Sequence, residues 1–268
     1  MVERKQEIEE IGKMLARERQ QKILQEVKRQ RAIKVKELSK LFNVSEMTIR
    51  RDLEKLSRQG LIERVHGGVL SIDGTAFEPT FREKEIVNME EKIKIGKKAA
   101  SLVKENDTVC LGPGTTVMQI VKNLGEKRIT ALTNSLNIAF ELSKIPNVRL
   151  FVIGGEVRSE SYAMVGPETE DYLRRFYVDK FFVGVNGFTI EHGITIPNPS
   201  EAAVYREMIK LSRETIVVAD HTKLGRVSFA KIADVECIDA LITDSGIYEG
   251  YEGYIRELQA REIKVIVV

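Results

Sequence analysis

The sequence predicts an α/β protein of two domains, a small and mainly helical N-terminal domain followed by a larger domain built on a mainly parallel sheet. The length of 268 residues suits two domains at roughly 150 residues each. Residues 14–75 hold 14 Lys and Arg against 8 Asp and Glu, a net charge of +6, although the whole chain carries only +2. From about residue 91 onward, short apolar runs alternate with helical segments, which is typical of a parallel sheet covered on both faces.

The composition indicates a globular protein without a membrane partner. The chain is 43% hydrophobic and 31% charged, enough to bury a sizeable core. No apolar run approaches the ~18 residues that a membrane span requires, and Met1–Glu7 lacks the apolar core of a secretion signal. We therefore expect a cytoplasmic location. Cys110 and Cys237 have no Cys or His at metal-binding spacing, and the histidines share no local spacing, so we predict reduced thiols and no metal site.

Three short helices are predicted near the N-terminus. The first covers about Arg19–Arg31 and the second covers Val35–Phe42, each with apolar residues at the i, i+3, i+4 spacing of a buried stripe. Asn43 suits the turn that follows, because Asn tolerates left-handed backbone angles. Ser45 is predicted to cap the third helix. The full capping box is absent, because Thr48 stands where Glu or Gln would close it.

The third helix is followed by a predicted hairpin. Ile49, Leu53 and Leu56 form the buried stripe of this helix, which is predicted to stop at Gly60. Residues 61–65 are predicted as a strand, 67–68 as a tight turn and 69–70 as the return strand. A hairpin in this position is the wing of a winged helix-turn-helix.

The exposed side of the third helix has the chemistry of a DNA-binding surface. A helix in the major groove contacts base edges and phosphates through hydroxyl and basic side chains, and the excess positive charge of this region favours contact with the phosphate backbone. The predicted DNA-binding residues lie on this helix and on the wing: Ser45, Thr48, Arg50, Arg51, Lys55, Arg64 and His66.

Part of this region resembles a known family. The residues that carry the resemblance are Ser45–Leu53, Gly60, Arg64 and His66–Gly68. Together they are similar to the motif of DeoR-type bacterial transcriptional regulators. Members of that family start near a Met-Leu-x-x-Glu-Arg pattern, which Met14–Arg19 matches, so residues 1–13 are an extension. Two interpretations of the extension stay open: it lengthens the first helix or helps dimerisation, or the start codon is assigned too far upstream.

The predicted domains are a winged helix-turn-helix over residues 14–72 and a sensing domain over residues 91–268, joined by a linker over residues 73–90. Gly74, Pro79 and a run of charged residues mark the linker. The predicted strands of the second domain are Thr108–Leu111, Ile129–Leu132, Val148–Ile153, Lys180–Val185, Thr215–Ala219, Ala240–Thr243 and Lys264–Val268. The predicted helices are Glu91–Val103, Met118–Leu124, Leu136–Ser143, Glu201–Arg213 and one near Tyr251–Arg261.

Small, polar or charged residues follow five of these strands. They are Gly112–Thr116, Thr133–Ser135, Gly154–Gly155, Asn186–Gly187 and Asp220–Lys223. Because ligands of such sheets bind at the carboxyl ends of the strands, this convergence predicts a pocket. Glycines and two Thr hydroxyls in the first loop suit an anion, with Lys223 as a counter-charge. The alternative is an ordinary strand-to-helix turn capped by Thr. The loop lacks the Gly-Lys-Ser/Thr ending of a nucleotide P-loop.

The family resemblance extends to residues 91–243, which look like the DeoR-type sensor domain, similar in fold to ribose-5-phosphate isomerase. It implies a phosphorylated sugar effector, with the phosphate near residues 114–116 and Lys223 and the sugar hydroxyls near Asn134, Ser135 and Glu201. Gly112 stands where family members usually carry an acidic residue. The predicted effector-binding residues are Gly114, Thr115, Thr116, Asn134, Ser135, Gly154, Gly155, Glu201 and Lys223.

An enzyme is the alternative interpretation of the second domain. A sugar-phosphate isomerase with an accessory helix-turn-helix would use Glu201 as its base. However, Gly184–Phe188 has no acid, and Gly193–Thr195 lacks the lysine of the isomerase. We therefore predict no catalytic residue and no cofactor. The expected protein is a DNA-binding transcriptional regulator, a repressor of carbohydrate metabolism genes that a phosphorylated sugar releases from its operator. We expect a homo-oligomer, dimer or tetramer, because symmetry doubles the DNA contacts.

Overall fold

The computed structural model describes residues 16, 18–27, 30, 32–58, 61–65, 67–71, 75–76 and 78–268. The chain divides into two compact units, Met1–Gly74 and Thr75–Val268. The predicted extension over residues 1–13 and the predicted helix end at Gly60 lie outside the described residues. Within the described ranges, no helix combines the length and the apolar character of a membrane-spanning segment.

The first unit is a winged helix-turn-helix, as predicted. Residues 18–27 form helix α1. The other elements are β1 (Ala32–Lys34), α2 (Val35–Phe42), α3 (Glu46–Arg58), β2 (Ile62–Val65) and β3 (Gly68–Ser71). Asn43 ends α2 in the left-handed region with φ 50°. The apolar stripes of the three helices and the hairpin meet in one core, to which Ile23, Leu38, Ile49, Leu53, Ile62 and Val69 contribute fully buried side chains.

Strand β1 was not predicted. It pairs antiparallel with β3, with Ala32 opposite Leu70, and completes a three-stranded sheet in the order β1-β3-β2. A strand of three residues is too short for the alternation of apolar and polar residues to be visible. Its position matters because it fixes one edge of the wing.

The second unit contains a seven-stranded sheet that is parallel throughout, which confirms the predicted α/β fold. Its strand order is β15-β14-β12-β9-β4-β5-β6. These strands are β4 (Thr108–Leu111), β5 (Ile129–Thr133), β6 (Val148–Val152), β9 (Val178–Val183), β12 (Ser212–Val218), β14 (Ala240–Thr243) and β15 (Lys264–Val267). The helices are α4 (Phe81–Glu85), α5 (Met89–Leu102), α6 (Thr115–Val121), α7 (Leu136–Leu142), α8 (Pro167–Leu173), α9 (Pro199–Lys210) and α10 (Glu252–Ala260).

Both faces of this sheet are buried. In β9, Phe181 and Val183 enter one hydrophobic core, whereas Phe182 between them enters the core on the opposite face. Successive strand residues, which point to opposite faces, therefore all need apolar side chains, and this explains the uninterrupted apolar runs of the sequence. Gly96 in α5 allows α6 to approach closely, because a Cβ at this position would lie 2.4 Å from the Cβ of Gln119.

Several short elements escaped prediction. They are α4 and α8, the antiparallel pair β7 (Glu156–Val157) and β8 (Met164–Val165), and the antiparallel sheet formed by β10 (Gly187–Thr189), β11 (Gly193–Ile196) and β13 (Ala230–Ala233). Short 3-10 turns follow β12 and β14 of the main sheet, at His221–Lys223 and Ser245–Tyr248, and another follows β13, at Val235–Cys237. Such elements span too few residues to show a hydrophobic period.

The structure differs from the prediction of a linker over residues 73–90. Residues 78–92, which we call the leading segment, pack into the second unit. Phe81 is buried with its ring centroid 5.7 Å from that of Tyr162, and its amide donates to the carbonyl of Glu160 at 2.7 Å. The side chain of Glu78 is also nearly buried. Within the charged run that suggested a connector, Lys84 pairs with Glu78 at 3.4 Å, and Glu83 accepts from the amide of Thr80 at 2.8 Å.

Candidate functional site

Helix α3 buries one face and exposes a basic one. Ile49, Leu53 and Leu56 are buried, whereas Arg51 and Lys55 are exposed and Thr48 is half-buried. Arg50 is also exposed and forms a long i,i+4 pair with Glu46, 3.6 Å between Nη2 and Oε2. Met47, which was not predicted as a site residue, is 62% exposed on the first turn of the helix. The helix thus presents guanidinium, ammonium and hydroxyl groups together, as the sequence predicted.

The start of α3 is fixed by its own hydroxyl groups. The amide of Thr48 donates to Oγ of Ser45 at 3.1 Å, and the two hydroxyl oxygens lie 2.9 Å apart. Ser45 therefore satisfies an amide that would otherwise lack a partner at the helix start. The pair is exposed, so the same two hydroxyls face solvent at the end of the helix that would enter a groove first.

A buried carboxylate anchors α3 to α1. Asp52 is 4% exposed, and its oxygens accept from Nε of Arg19 at 2.5 Å and from Nε2 of Gln20 at 2.8 Å. This ion pair holds the orientation of the helix whose opposite face is basic. The sequence gives one signal of it, an acid immediately after two arginines in the helix interior, but the partner lies 33 residues away in sequence.

Of the two predicted DNA-binding residues on the wing, Arg64 lies in the described part of the chain. Arg64 is half-buried on β2, opposite Val69 of β3. Gly67 turns the hairpin with φ 80°, a value that favours glycine. The carbonyl of Gly67 accepts from the amide of Val35 at 2.9 Å, which joins the wing to the start of α2. His66 lies outside the described residues.

The second unit has a polar cavity at the carboxyl ends of three neighbouring strands. The loops after β12, β9 and β4 form most of its wall, and α9 contributes residues from its first two turns. The space is partly open to solvent. Five of the predicted effector-binding residues line it: Gly114, Thr115, Thr116, Glu201 and Lys223. This position agrees with the rule for ligand sites in parallel sheets.

Glu201 is the centre of a buried polar cluster on one wall of the cavity. Its Oε2 accepts from Nη1 of Arg158 and, at 2.9 Å, from Oγ of Ser161. The hydroxyl of Tyr205 lies 3.1 Å from Oε1 of Glu201 and 3.1 Å from the carbonyl oxygen of Pro113. Burial, reinforced by the charge of Glu201, raises the pKa of Tyr205 well above its ordinary value, so this phenol stays protonated. The cluster presents a fixed carboxylate flanked by hydroxyls.

Arg158, which does not line the cavity, stabilises the carboxylate of Glu201 through an ion pair. Its Nη2 also donates to Oε2 of Glu78 at 2.6 Å, so one guanidinium joins two nearly buried acids. Burial opposes its charge, but hydrogen bonds and attraction to Glu78 and Glu201 raise the pKa of Arg158 above its ordinary value. The sequence contained no visible signal for these pairs, whose members lie 80 and 43 residues apart.

A second buried acid, Asp220, also lines the cavity. Asp220 is 1% exposed, and its Oδ1 accepts from Nδ2 of Asn88 at 3.0 Å and from the amide of Thr222 at 3.1 Å. Burial opposes ionisation, but the charges of Lys223 and Lys92 together with these hydrogen bonds lower the pKa of Asp220 far below its ordinary value. Asp220 therefore stays ionised beside the lysines of the cavity.

Asn134 and Ser135 do not line the cavity. They follow β5, which lies one strand beyond β4 in the sheet order, away from β9 and β12. Both are fully buried: Nδ2 of Asn134 donates to the carbonyl of Met164 at 2.8 Å, and Oγ of Ser135 donates to Oδ1 of Asn137 at 2.5 Å. The amide of Asn134 fastens the β5–α7 turn to β8, and the hydroxyl of Ser135 is bonded within the turn itself.

Gly154 and Gly155 lie further from the cavity, after the edge strand β6. The carbonyl of Gly154 accepts from Oγ1 of Thr169 at 2.7 Å. A Cβ on Gly155 would lie 2.0 Å from the same Oγ1 and 2.6 Å from the carbonyl oxygen of Val165, so only glycine fits. The sequence rule that polar residues after strands converge holds here only for three adjacent strands.

The leading segment supplies cavity residues that the sequence did not indicate. Phe81, Lys84 and Lys92 line the cavity, together with Asn186 and the backbone of Gly184 after β9. Lys92 is 4% exposed, and its Nζ donates to the carbonyl of Lys84 at 2.5 Å. Three lysines and two buried acids surround the space, an arrangement suited to an anionic, hydroxyl-rich ligand. Among the described residues, no group of three or more His, Cys, Asp or Glu is placed to hold a metal ion.

A winged helix-turn-helix with a basic third helix, followed by an α/β unit with a polar cavity, defines a DNA-binding transcriptional regulator with a sensor domain. The chain belongs to the DeoR family. Residues 19–75 match the DeoR-like helix-turn-helix domain, and residues 87–245 match the DeoR C terminal sensor domain. The resemblance inferred from the sequence motifs is thereby confirmed.

The relatives that match most of this chain in sequence are transcriptional regulators. The uncharacterized HTH-type transcriptional regulator YulB of Bacillus subtilis is 38% identical over 95% of this chain and 98% of its own length. The putative aga operon transcriptional repressor of Escherichia coli O157:H7 is 34% identical over 94% of this chain and 93% of its own length. A solved D-ribose-5-phosphate isomerase in complex with phospho-erythronic acid matches 64% of this chain and 66% of its own with 14% identity and a TM-score of 0.39. That score is too low to support an argument about activity.

Proposed function

We propose that this chain is a repressor that binds operator DNA through α3 and the wing and leaves it when a phosphorylated sugar occupies the cavity of the second unit. The observation that carries the proposal is the composition of that cavity. Hydroxyl groups and lysines that suit a phosphate line the same space as buried carboxylates that suit sugar hydroxyls.

On the DNA side, the exposed groups of α3 divide by their chemistry. Ser45 and Thr48 at the start of the helix contact phosphates or bases near the helix start, and Lys55 contacts the phosphate backbone. Arg50 and Arg51 share the remaining contacts, one on a guanine edge and the other on the backbone. Arg64 and His66 on the wing contact phosphate or the minor groove. Binding to the backbone makes the affinity fall with salt concentration.

On the effector side, Thr115 and Thr116 donate their hydroxyls to the phosphate and Lys223 supplies a positive charge. Their backbone follows Gly114, whose φ of 148° is in a region that favours glycine. Glu201 and Asp220 accept from the sugar hydroxyls. Both carboxylates already hold two or more donors from the protein, so a ligand needs to fill only their remaining lone pairs.

We further propose that the protein acts in the cytoplasm as a homo-oligomer, dimer or tetramer, on genes of carbohydrate metabolism. A single recognition helix gives few base contacts, and a symmetric pair of helices doubles them on a repeated half-site.

A thermal-shift screen of the full chain against pentose and hexose phosphates tests the effector site. One of these ligands should raise the melting temperature of the wild type, because a ligand stabilises the state that binds it. The Thr115→Ala variant should show a much smaller rise, and Thr115→Ser, which keeps the hydroxyl, should respond like the wild type. A rise of equal size in Thr115→Ala would place the phosphate elsewhere, and no rise with any sugar phosphate would refute the proposed effector class.

A further inference from the structure

The leading segment joins the cavity to the chain that comes from the DNA-binding unit. It starts four residues after Gly74, the last residue of the first unit. It ends in α5 at Lys92, whose side chain lines the cavity. The segment is therefore continuous in sequence with the DNA-binding unit.

The contacts that hold this segment in place are the same groups that face the ligand space. Phe81 and Lys84 line the cavity directly, and Lys92 fixes the carbonyl of Lys84. Asn88 is bonded to Asp220, a lining residue on another wall. At the N-terminal end, Glu78 is bonded to Arg158, which is bonded to Glu201.

Glu78 therefore competes with the cavity for two cations. It holds Nη2 of Arg158 at 2.6 Å while Glu201 in the cavity holds Nη1 of the same guanidinium. It also holds Nζ of Lys84, a lining residue, at 3.4 Å. An anionic ligand near Lys84 would attract its ammonium group away from Glu78. A ligand hydroxyl that donates to Glu201 would weaken the ion pair between Glu201 and Arg158.

We propose that the leading segment is itself an effector-binding element, in which Lys84 and Lys92 bind the anionic group of the ligand and the chain Glu78–Arg158–Glu201 transmits occupancy of the cavity to the DNA-binding unit. The inference rests on the proposed function and adds two binding residues and a route of regulation. Such a route requires that the ligand bind two arrangements of the segment with different affinity, since a ligand shifts an equilibrium only by that difference.

The binding part is tested with Lys84→Met in the full chain, by calorimetric titration of inorganic phosphate and of the pentose and hexose phosphates used in the screen. We expect the affinity for the best sugar phosphate to fall at least about tenfold, because a charge-assisted contact is lost. The matched control is Lys97→Met, an exposed lysine of α5, which should leave the affinity unchanged. Equal affinities of wild type and Lys84→Met would overturn this assignment.

The transmission part is tested with Glu78→Gln, since Glu78 does not line the cavity and the substitution removes only its charge. Fluorescence anisotropy measures the affinity for a promoter fragment with and without the sugar phosphate. In wild type the ligand should weaken DNA binding by a factor in the typical range of about 5 to 150. In Glu78→Gln this factor should fall towards 1 while the ligand still binds. Glu160→Gln, an exposed acid 3.7 Å from the same arginine, should behave like wild type.

Two results separate the failure of this inference from that of the proposed function. A wild type that binds DNA but responds to no sugar phosphate would overturn both. A wild type that responds, with Glu78→Gln responding to the same extent, would overturn the transmission route alone. Arg158→Lys serves as a second variant if Glu78→Gln does not fold, because one ammonium cannot donate to both acids with the geometry of the guanidinium, and it should show the same loss of response.

Discussion

Replacing Arg158 by methionine should destabilise the second unit strongly. The change removes the cation shared by Glu78 and Glu201, whose side chains are 8% and 7% exposed. Removing one partner of a buried ion pair typically costs about 3–5 kcal/mol, because the remaining charge is buried without compensation. The lower end, about 3 kcal/mol, applies because Ser161 and Tyr205 still donate to Glu201.

For a unit of this size, 1 kcal/mol corresponds to about 2–4 °C in melting temperature, so the expected loss is about 6–12 °C. Thermal unfolding followed by circular dichroism measures it. Arg174→Met is the matched control: Arg174 also bridges two acids, Glu207 and Asp171, but its side chain is 55% exposed, so its loss should be much smaller. Equal losses in the two variants would refute the claim that burial makes the Arg158 cluster important.

Three further outcomes are expected. Arg51→Ala should weaken binding to a promoter fragment by about 1–3 kcal/mol in an anisotropy titration, and unchanged affinity would show that the exposed face of α3 is assigned wrongly. A hydrogen bond that His221 donates to the carboxylate of Asp244 raises the pKa of His221 above its ordinary value of 6.5. The stability it contributes should be complete below about pH 6.5 and be lost as pH rises through the raised value, so urea unfolding should show a pH-dependent difference between wild type and His221→Gln that is absent if the pair does not form. Gly155→Ala should destabilise the protein because its Cβ would overlap backbone, whereas Gly154→Ala, whose Cβ would meet nothing within 4 Å, should not; equal melting temperatures would contradict the structural role of Gly155.

The helices and strands whose hydrophobic pattern repeats over several residues were predictable. The ion pairs between residues far apart in sequence were not. The apolar stripe of α3 and the alternating strands and helices of the second unit follow from local patterns, because each pattern is repeated over several residues. The anchoring of Asp52 by Arg19 depends on a partner far away in sequence, which no local pattern specifies. The same holds for the ion pairs of Arg158.

Only part of the site could be predicted from the sequence, and the reason is physical. Polar residues after strands do gather at one edge of a parallel sheet, but only loops after adjacent strands can enclose one ligand. The strand order, which the sequence does not show, places the loops at Thr115 and Lys223 on either side of the loop after β9 and leaves Asn134 and Gly154 outside the cavity. The charged run at Arg82–Glu85 suggested a solvated linker, whereas burial of Phe81 brings it into the cavity wall.

The central claim is that occupancy of the cavity controls DNA binding by the same chain. The most direct test is an anisotropy titration of a promoter fragment with the full chain, at fixed salt, with and without the sugar phosphate that gives the largest thermal shift. We expect the ligand to raise the Kd for DNA at least about fivefold in wild type, with little change in Thr115→Ala. The account would be contradicted if the wild type binds both DNA and the sugar phosphate but its Kd for DNA is the same with and without the ligand.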